Sequence, residues 1–290
     1  GDGLPASRHP VQAATLTVRP LSRGRADMQR GRVGTPKDYR ALVYAAGDGG
    51  YDRVRVLGAD GATLADLAVG QWSDWCSDSF EIDGAAVAGG FRLKLIALTP
   101  EADRFELLLT QIWPTGGDWA VPPGTAEEIS AQVGPFIQNP LRDALGVFDD
   151  ETYAELLNEH HERLAAIAAH LTATRPWDIL FIESHASDYA GHFFLGQADP
   201  ISGADAATVD RCRRGLIQTY ASIDRMIGRV AALADPDTVV AVVSDHGSTP
   251  NQHTPVDINA VLEAAGFIGR RADPATGRRS LDLPTTKALG

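Results

Sequence analysis

Two apolar runs, each ending in an acid–histidine cluster, constrain this chain more than any other feature. Asp178-Ile-Leu-Phe-Ile-Glu183 leads to Asp188 and His192, and Thr238-Val-Val-Ala-Val-Val-Ser244 leads directly into Asp245-His246-Gly247. Short runs of consecutive apolar, β-branched-rich residues bounded by turn signals suit strands covered on both faces, as in a parallel sheet. In an open α/β sheet, ligands and reacting groups gather beyond the carboxyl ends of the strands. Two Asp/His pairs delivered to that edge form the donor set of half a binuclear metal centre. Such a centre combines hard carboxylates with borderline imidazoles, and Zn²⁺ or Mn²⁺ accepts both.

The two pairs carry different weight. Asp188 and His192 are four residues apart and can share one metal if the segment between them is helical; otherwise they are an ordinary surface pair. Asp245 and His246 are adjacent, and a sharp strand exit before Gly247 can aim both side chains at one place. The competing reading is a helix-capping aspartate beside a bystander histidine. Each pair closes its own apolar run, and an amphipathic helix joins them, which favours metal binding. Glu183 and His185 lie on the strand approaching Asp188, where alternation puts them on one face. They either orient a ligand of the site or form a buried hydrogen-bonded pair. His253, seven residues after His246, is the only imidazole further along; it is either a substitute ligand or a loop histidine at the site mouth.

The rest of the chain supplies context. At 290 residues it can bury a sizeable core and divides into two parts near residue 120. The formal charge of −12 argues against a protein built to bind a nucleic-acid backbone, which would show a basic face. It leaves a small phosphorylated substrate open, because bound divalent cations invert the local field. Cys76 and Cys212 give neither zinc-finger spacing nor a disulfide framework, and both read as apolar filler. No apolar stretch reaches the ~18–20 residues that span a bilayer. Gly1-Asp-Gly-Leu-Pro5 is not a signal peptide, which leaves the compartment open with a slight preference for the cytoplasm. Nothing in the sequence sets the oligomeric state.

Residues 1–118 read as a β-rich antiparallel unit. Period-two runs at Thr15–Val18, Ala41–Tyr44, Arg53–Leu57, Arg92–Leu98 and Phe105–Ile112 are separated by Gly- and Asp-rich turns. Trp72, Trp75 and Trp113 form either its core or a ligand platform, with core favoured in so small a unit. Pro122-Pro123 marks a junction, and residues 119–290 read as part of an α/β core. There, Asp149 or Asp150 caps a helix to about Leu171 with Tyr153, Leu156, Leu157, Leu164 and Ile167 on one stripe. His160, His161 and His170 on that helix read as solvated or partly packed. A second helix runs from about Asp205 to Ala234 with Val209, Cys212, Leu216, Tyr220, Ile223, Ile227 and Val230 inward, and a third starts near Val256 and ends before Gly266. Alternating β and α elements imply a parallel, helix-flanked sheet.

The succession Asp178–His192, then Tyr220-Ala-Ser-Ile-Asp224-Arg-Met-Ile-Gly228, then Val243-Ser-Asp-His-Gly247 resembles the alkaline phosphatase superfamily. It looks closest to the type I phosphodiesterase/nucleotide pyrophosphatase-like branch of phosphohydrolases and phosphomutases. Val256-Asp-Ile-Asn259 and the residues to Gly266 fit the same branch, and Gln71–Trp75 through Phe91–Lys94 resembles its β-rich insertion. The resemblance, over residues 35–290, implies an alkaline-phosphatase-like parallel sheet flanked by helices with an antiparallel β-rich insertion. It implies that Asp188 and His192 hold one divalent ion and Asp245 and His246 another, zinc or alternatively manganese. It also implies a Thr or Ser nucleophile and one further metal-binding Asp upstream of the insertion, and a last His ligand on a later strand.

This chain departs from that pattern. Ser7, Thr15 and Thr17 lack the strand–Asp–helix setting of such a nucleophile, so no catalytic nucleophile is assigned. The expectation is an internal piece of a longer protein. The expected activity is metal-dependent hydrolysis of phosphate mono- or diesters. The alternatives are phosphomutase or sulfatase chemistry on the same scaffold, or a non-catalytic fragment whose β-rich part binds a partner or glycan.

Overall fold

The computed structural model describes residues 3–5, 7–22, 32–138, 149–250, 257–272, 274 and 279–288. The first part of the chain is β-structure: β1 (Gln12–Val18), β2 (Leu21–Ser22), β3 (Arg32–Val33), β4 (Lys37–Tyr44), β5 (Arg53–Leu57), β6 (Thr63–Ala68), β7 (Cys76–Ile82), β8 (Ala85–Phe91), β9 (Leu93–Leu98), β10 (Phe105–Leu109) and β11 (Trp113–Pro114). Helices follow: α1 (Thr125–Gln132), α2 (Asp150–Thr174), α3 (Ala186–Ala190), α4 (Gly196–Ala198), α5 (Ala206–Ala231) and α6 (Ile258–Ala264). A short hairpin of β12 (Arg270–Ala272) and β13 (Arg279–Leu281) comes last.

A four-stranded antiparallel sheet in the order β1-β4-β5-β6 anchors the β unit. In β5 the alternation is direct: Val54 and Val56 face the core, while Arg53 and Arg55 face out and clamp Asp66 of β6 at 3.0 and 2.7 Å. β7 and β8 pair from Cys76↔Phe91 to Ile82↔Ala85, with β11 on the other side of β8. Periodicity does not announce these two strands. β7 (CSDSFEI) is mostly polar and β8 (AAVAGGF) mostly small, so pairing rather than apolar pattern makes them strands. Both contribute to one core with Tyr39, Val43, Leu67, Leu93 and Leu95, through Phe80 and Phe91.

Trp113 is buried as expected, but Trp72 and Trp75 are only half-buried and neither forms an open platform. They carry the contact between the β unit and α2. Lys94 of β9, 5% exposed, bonds Thr152 and Glu155 of α2 and lies 5.5 Å from the Trp72 ring centroid. Trp72 Nε1 donates to the same Glu155 at 2.8 Å. Arg92 reaches Glu159 at 3.0 Å and also covers Trp72, while Arg163 of α2 covers Trp75. A buried ammonium without an acceptor is strongly unfavourable, and aromatic faces add cation–π attraction.

α2 begins where its cap dictates: the Asp149 carboxylate accepts the Thr152 N–H at 2.8 Å. Its buried stripe runs Tyr153, Leu156, Leu157, His160, His161, Ala165, Ala168, with Leu164 and Ile167 half-buried beside it. His160 and His161 are therefore core residues, not solvated ones. α5 turns its small residues Cys212, Gly215, Thr219 and Ser222, with Met226, to the interior. Tyr220, expected on that stripe, is exposed, because helix–helix approach selects the face with the smaller side chains.

Both apolar runs of the sequence lie outside any strand or helix, among the described residues neither has a strand partner, and every sheet among them is antiparallel. Ile179 is 86% exposed and Val239 91%. The parallel sheet expected from these runs is thus not seen among the described residues. Apolar, β-branched residues favour an extended chain, but a sheet needs a second backbone to receive its N–H and C=O groups. The fold shown is mixed α/β. No helix among the described residues is long and apolar enough to cross a membrane.

One glycine sets the seat of the site-bearing segment. A Cβ at Gly215 would stand 2.6–2.8 Å from the ring of Phe194, which is fully buried. Gly215→Ala is expected to cost about 1–3 kcal/mol by overpacking. Gly228→Ala on the same helix, where a Cβ meets nothing within 4 Å, should stabilise by roughly 0.5–1 kcal/mol. Urea unfolding of both variants checks this, and equal effects would show that Phe194 does not rest on Gly215.

Candidate metal centre

Asp188 and His192 sit on a continuous helical segment: α3, a π-helical turn at Gly191–Leu195, and α4. Its inner face is Ala186, Ala190, Phe194 and Ala198, each four residues on, packed with Tyr153, Leu157 and Cys212. That spacing turns Asp188 and His192 outward, and the helical geometry brings Asp188 Oδ1 to 3.5 Å from His192 Nε2. Single π turns are rare and recur at functional sites. The requirement that the intervening segment be helical is met.

Asp245 and His246 follow the second apolar run in an exposed loop, with Asp245 Oδ2 3.6 Å from His246 Nε2. His246 Nδ1 lies 3.0 Å from the Gly247 carbonyl. A carbonyl only accepts, so Nδ1 carries a proton, and in the neutral ring Nε2 keeps its lone pair. The Gly247 carbonyl raises the His246 pKa, and the carboxylates of Asp245 and Asp188 add to this. Asp188 therefore lies within electrostatic reach of His246. The segments touch too, since a Cβ on Gly191 would stand 3.1 Å from the Ser248 side-chain Oγ. The structure thus brings the two sequence-identified pairs together from segments more than fifty residues apart.

The donor geometry suits divalent ions. Two ligands about 2.0–2.1 Å from a tetrahedral zinc stand roughly 3.4 Å apart, close to both Asp–His separations. Among the described residues no three His, Cys, Asp or Glu side chains close into one group that could hold a metal ion.

Glu183 and His185 also face each other, at 3.5 Å, but both are exposed; they are not a buried hydrogen-bonded pair. The chain before α3 is uncovered, so nothing encloses them. His253 lies outside the described residues. Ser7 bonds the Gly47 carbonyl and Thr17 bonds Asp38, while Thr15 pairs with Arg40 in the sheet. All three lie in the β unit, away from both pairs in the sequence.

The polar group that sequence reading passed over is His161. Its Nδ1 lies 2.7 Å from Ser222 Oγ of α5 and its Nε2 2.8 Å from Ser184 Oγ, just before α3. Burial lowers its pKa to about 4, with His160 and Arg225 nearby adding to the effect. Burial also lowers the pKa of His160, opposed by its bond to the Ile137 carbonyl. A signal was present: His161 stands four residues after Leu157 and eight after Tyr153, on the apolar stripe.

A family model, type I phosphodiesterase / nucleotide pyrophosphatase, matches residues 108–286, a stretch that contains both pairs and His161. The chain belongs to this family. No curated protein and no solved structure matches it significantly. Membership in this phosphodiesterase/pyrophosphatase family fits phosphoester hydrolysis as its class of chemistry.

The buried histidines fix a pH dependence. The unfolded chain protonates His161 near its ordinary value of 6.5, whereas the folded chain resists until about 4. The unfolded state thus binds more protons in that window, and stability falls as pH drops through it, by up to about 3 kcal/mol. His160 acts in the same direction. Urea unfolding at stepped pH should show this loss between about pH 6.5 and 4, and His161→Gln should shallow the slope; an unchanged slope would rule out His161 as its source.

Proposed function

We propose that this chain is the metal-holding part of a divalent-cation-dependent phosphoester hydrolase. Asp188 and His192 hold one ion, and Asp245 and His246 the other, with zinc the first choice and manganese the second. Residues 1–118 serve as the β-rich insertion beside the core of residues 119–290. The observation that carries this reading is the meeting of two outward-facing Asp–His pairs, at 3.5 and 3.6 Å, in a phosphodiesterase-family chain.

The residues support the chemistry in a simple way. Asp188 and Asp245 are carboxylates that no Lys or Arg neutralises among the contacts described at the site, on a chain of net charge −12. By themselves they repel a phosphate. Bound divalent cations reverse that field and supply Lewis-acid charge to phosphoryl oxygens. The Gly247 carbonyl fixes the His246 tautomer that leaves Nε2 a donor. Exposure of His192, Asp245 and His246 leaves room for a small phosphorylated substrate. The reading assigns these donors and no nucleophile.

Calorimetric titration with Zn²⁺ and Mn²⁺ tests it. Two ions per chain are expected, with Asp188→Asn and Asp245→Asn each weakening one site at least tenfold. Inorganic phosphate should bind the loaded protein and not the metal-free one. An absence of saturable metal binding in the wild type, or binding unaffected by both substitutions, would reject the assignment.

A further inference from the structure

We infer that His161 is a positioning residue for Asp188, acting through Ser184. This rests on the reading of Asp188 and His192 as metal-holding residues. The ring is 1% exposed at the middle of α2 and bridges serines from two other elements. Ser184 Oγ in turn accepts the N–H of Ala186, the first residue of α3, at 3.3 Å. A hydrogen-bonded chain therefore runs from Ser222 of α5 through His161 to the start of the helix that carries Asp188.

The bonding capacity of each member fits that role. A neutral imidazole offers one donor and one acceptor, and each serine hydroxyl can donate once and accept twice. Both ring nitrogens are satisfied in either tautomer while Ser184 still accepts from Ala186. The groups facing the ring are Ser184, Ser222, His160 and, from α5, Arg225, whose guanidinium is held by Asn158; no carboxylate favours a charged imidazole.

Little else fixes where α3 begins. It opens the helical segment that continues to Ala198 and is packed through Phe194, but at this end the N-cap His185 makes no side-chain capping bond and the inward residues are two alanines. The chain before it is exposed on the apolar run. The His161–Ser184–Ala186 connection thus fixes the first turn of α3, the turn that carries Asp188.

The test compares Ser184→Ala, His161→Phe, His161→Gln and Ser222→Ala by three readouts: thermal midpoint, amide hydrogen exchange in metal-free protein, and Zn²⁺ affinity by calorimetry. Ser184→Ala and His161→Phe should raise exchange at residues 186–192 at least tenfold without a parallel rise across α2 and α5. Both should weaken Zn²⁺ at the Asp188 site by a similar factor, and His161→Gln should recover part of the loss. Ser222→Ala should lower the midpoint and leave the other two readouts near wild type. Wild-type exchange and affinity in Ser184→Ala, or a uniform rise over all helices, would overturn the inference. Local loosening in Ser184→Ala with no zinc binding by the wild type would uphold the anchoring and overturn the metal assignment instead.

Discussion

Lys94 cannot lie in the interior without an acceptor, and α2 is where it finds one. The ammonium meets Thr152 and Glu155 on the first turns of the helix, while Trp72 shares Glu155 and Arg92 takes Glu159 one turn on. Leaving the Lys94 charge buried and unpaired is more costly than the pair is favourable, so the β unit and α2 are held in one register. Farther along α2, His161 meets Ser184 and Ser222. The helix therefore carries two sets of obligatory polar contacts, one to the β-rich part and one to the segment bearing Asp188 and His192.

The candidate centre inherits its geometry from packing that contains no ligand residue. Ala186, Ala190, Phe194 and Ala198 form the buried edge, and Gly215 accepts the Phe194 ring. With that edge inward, Asp188 and His192 must point out. The second pair depends less on packing and more on its own turn, where the bond between His246 and the Gly247 carbonyl orients the ring. One pair is set by a helix face and the other by a backbone carbonyl. Their meeting depends on the Ser248 loop lying against Gly191.

Much of this was legible in the residues. The Asp149 cap, the α2 and α5 spans to within a few positions, the strands at Ala41–Tyr44 and Arg53–Leu57, and the helical Asp188–His192 spacing all follow from local rules. Strands β7 and β8 were not legible because their residues carry little apolar pattern. The burial of His160 and His161 was obscured by reading histidine as polar, although both fall on the apolar stripe. Glu183 and His185 lie on the uncovered side of the chain, which no local pattern reveals.

The sequence by itself determined which residues form the two Asp–His pairs, the family to which the chain belongs, and the helices that flank them. Those depend on spacing, capping and periodicity, which are properties of neighbours along the chain. Tertiary structure alone decided that Lys94 is satisfied by α2, that small residues rather than Tyr220 line the α5 contact, and that His161 links Ser222 to Ser184. It also left the two apolar runs without strand partners among the described residues. Each of these requires partners distant in sequence, because a buried charge, a helix contact and a strand ladder are completed only by what packs against them.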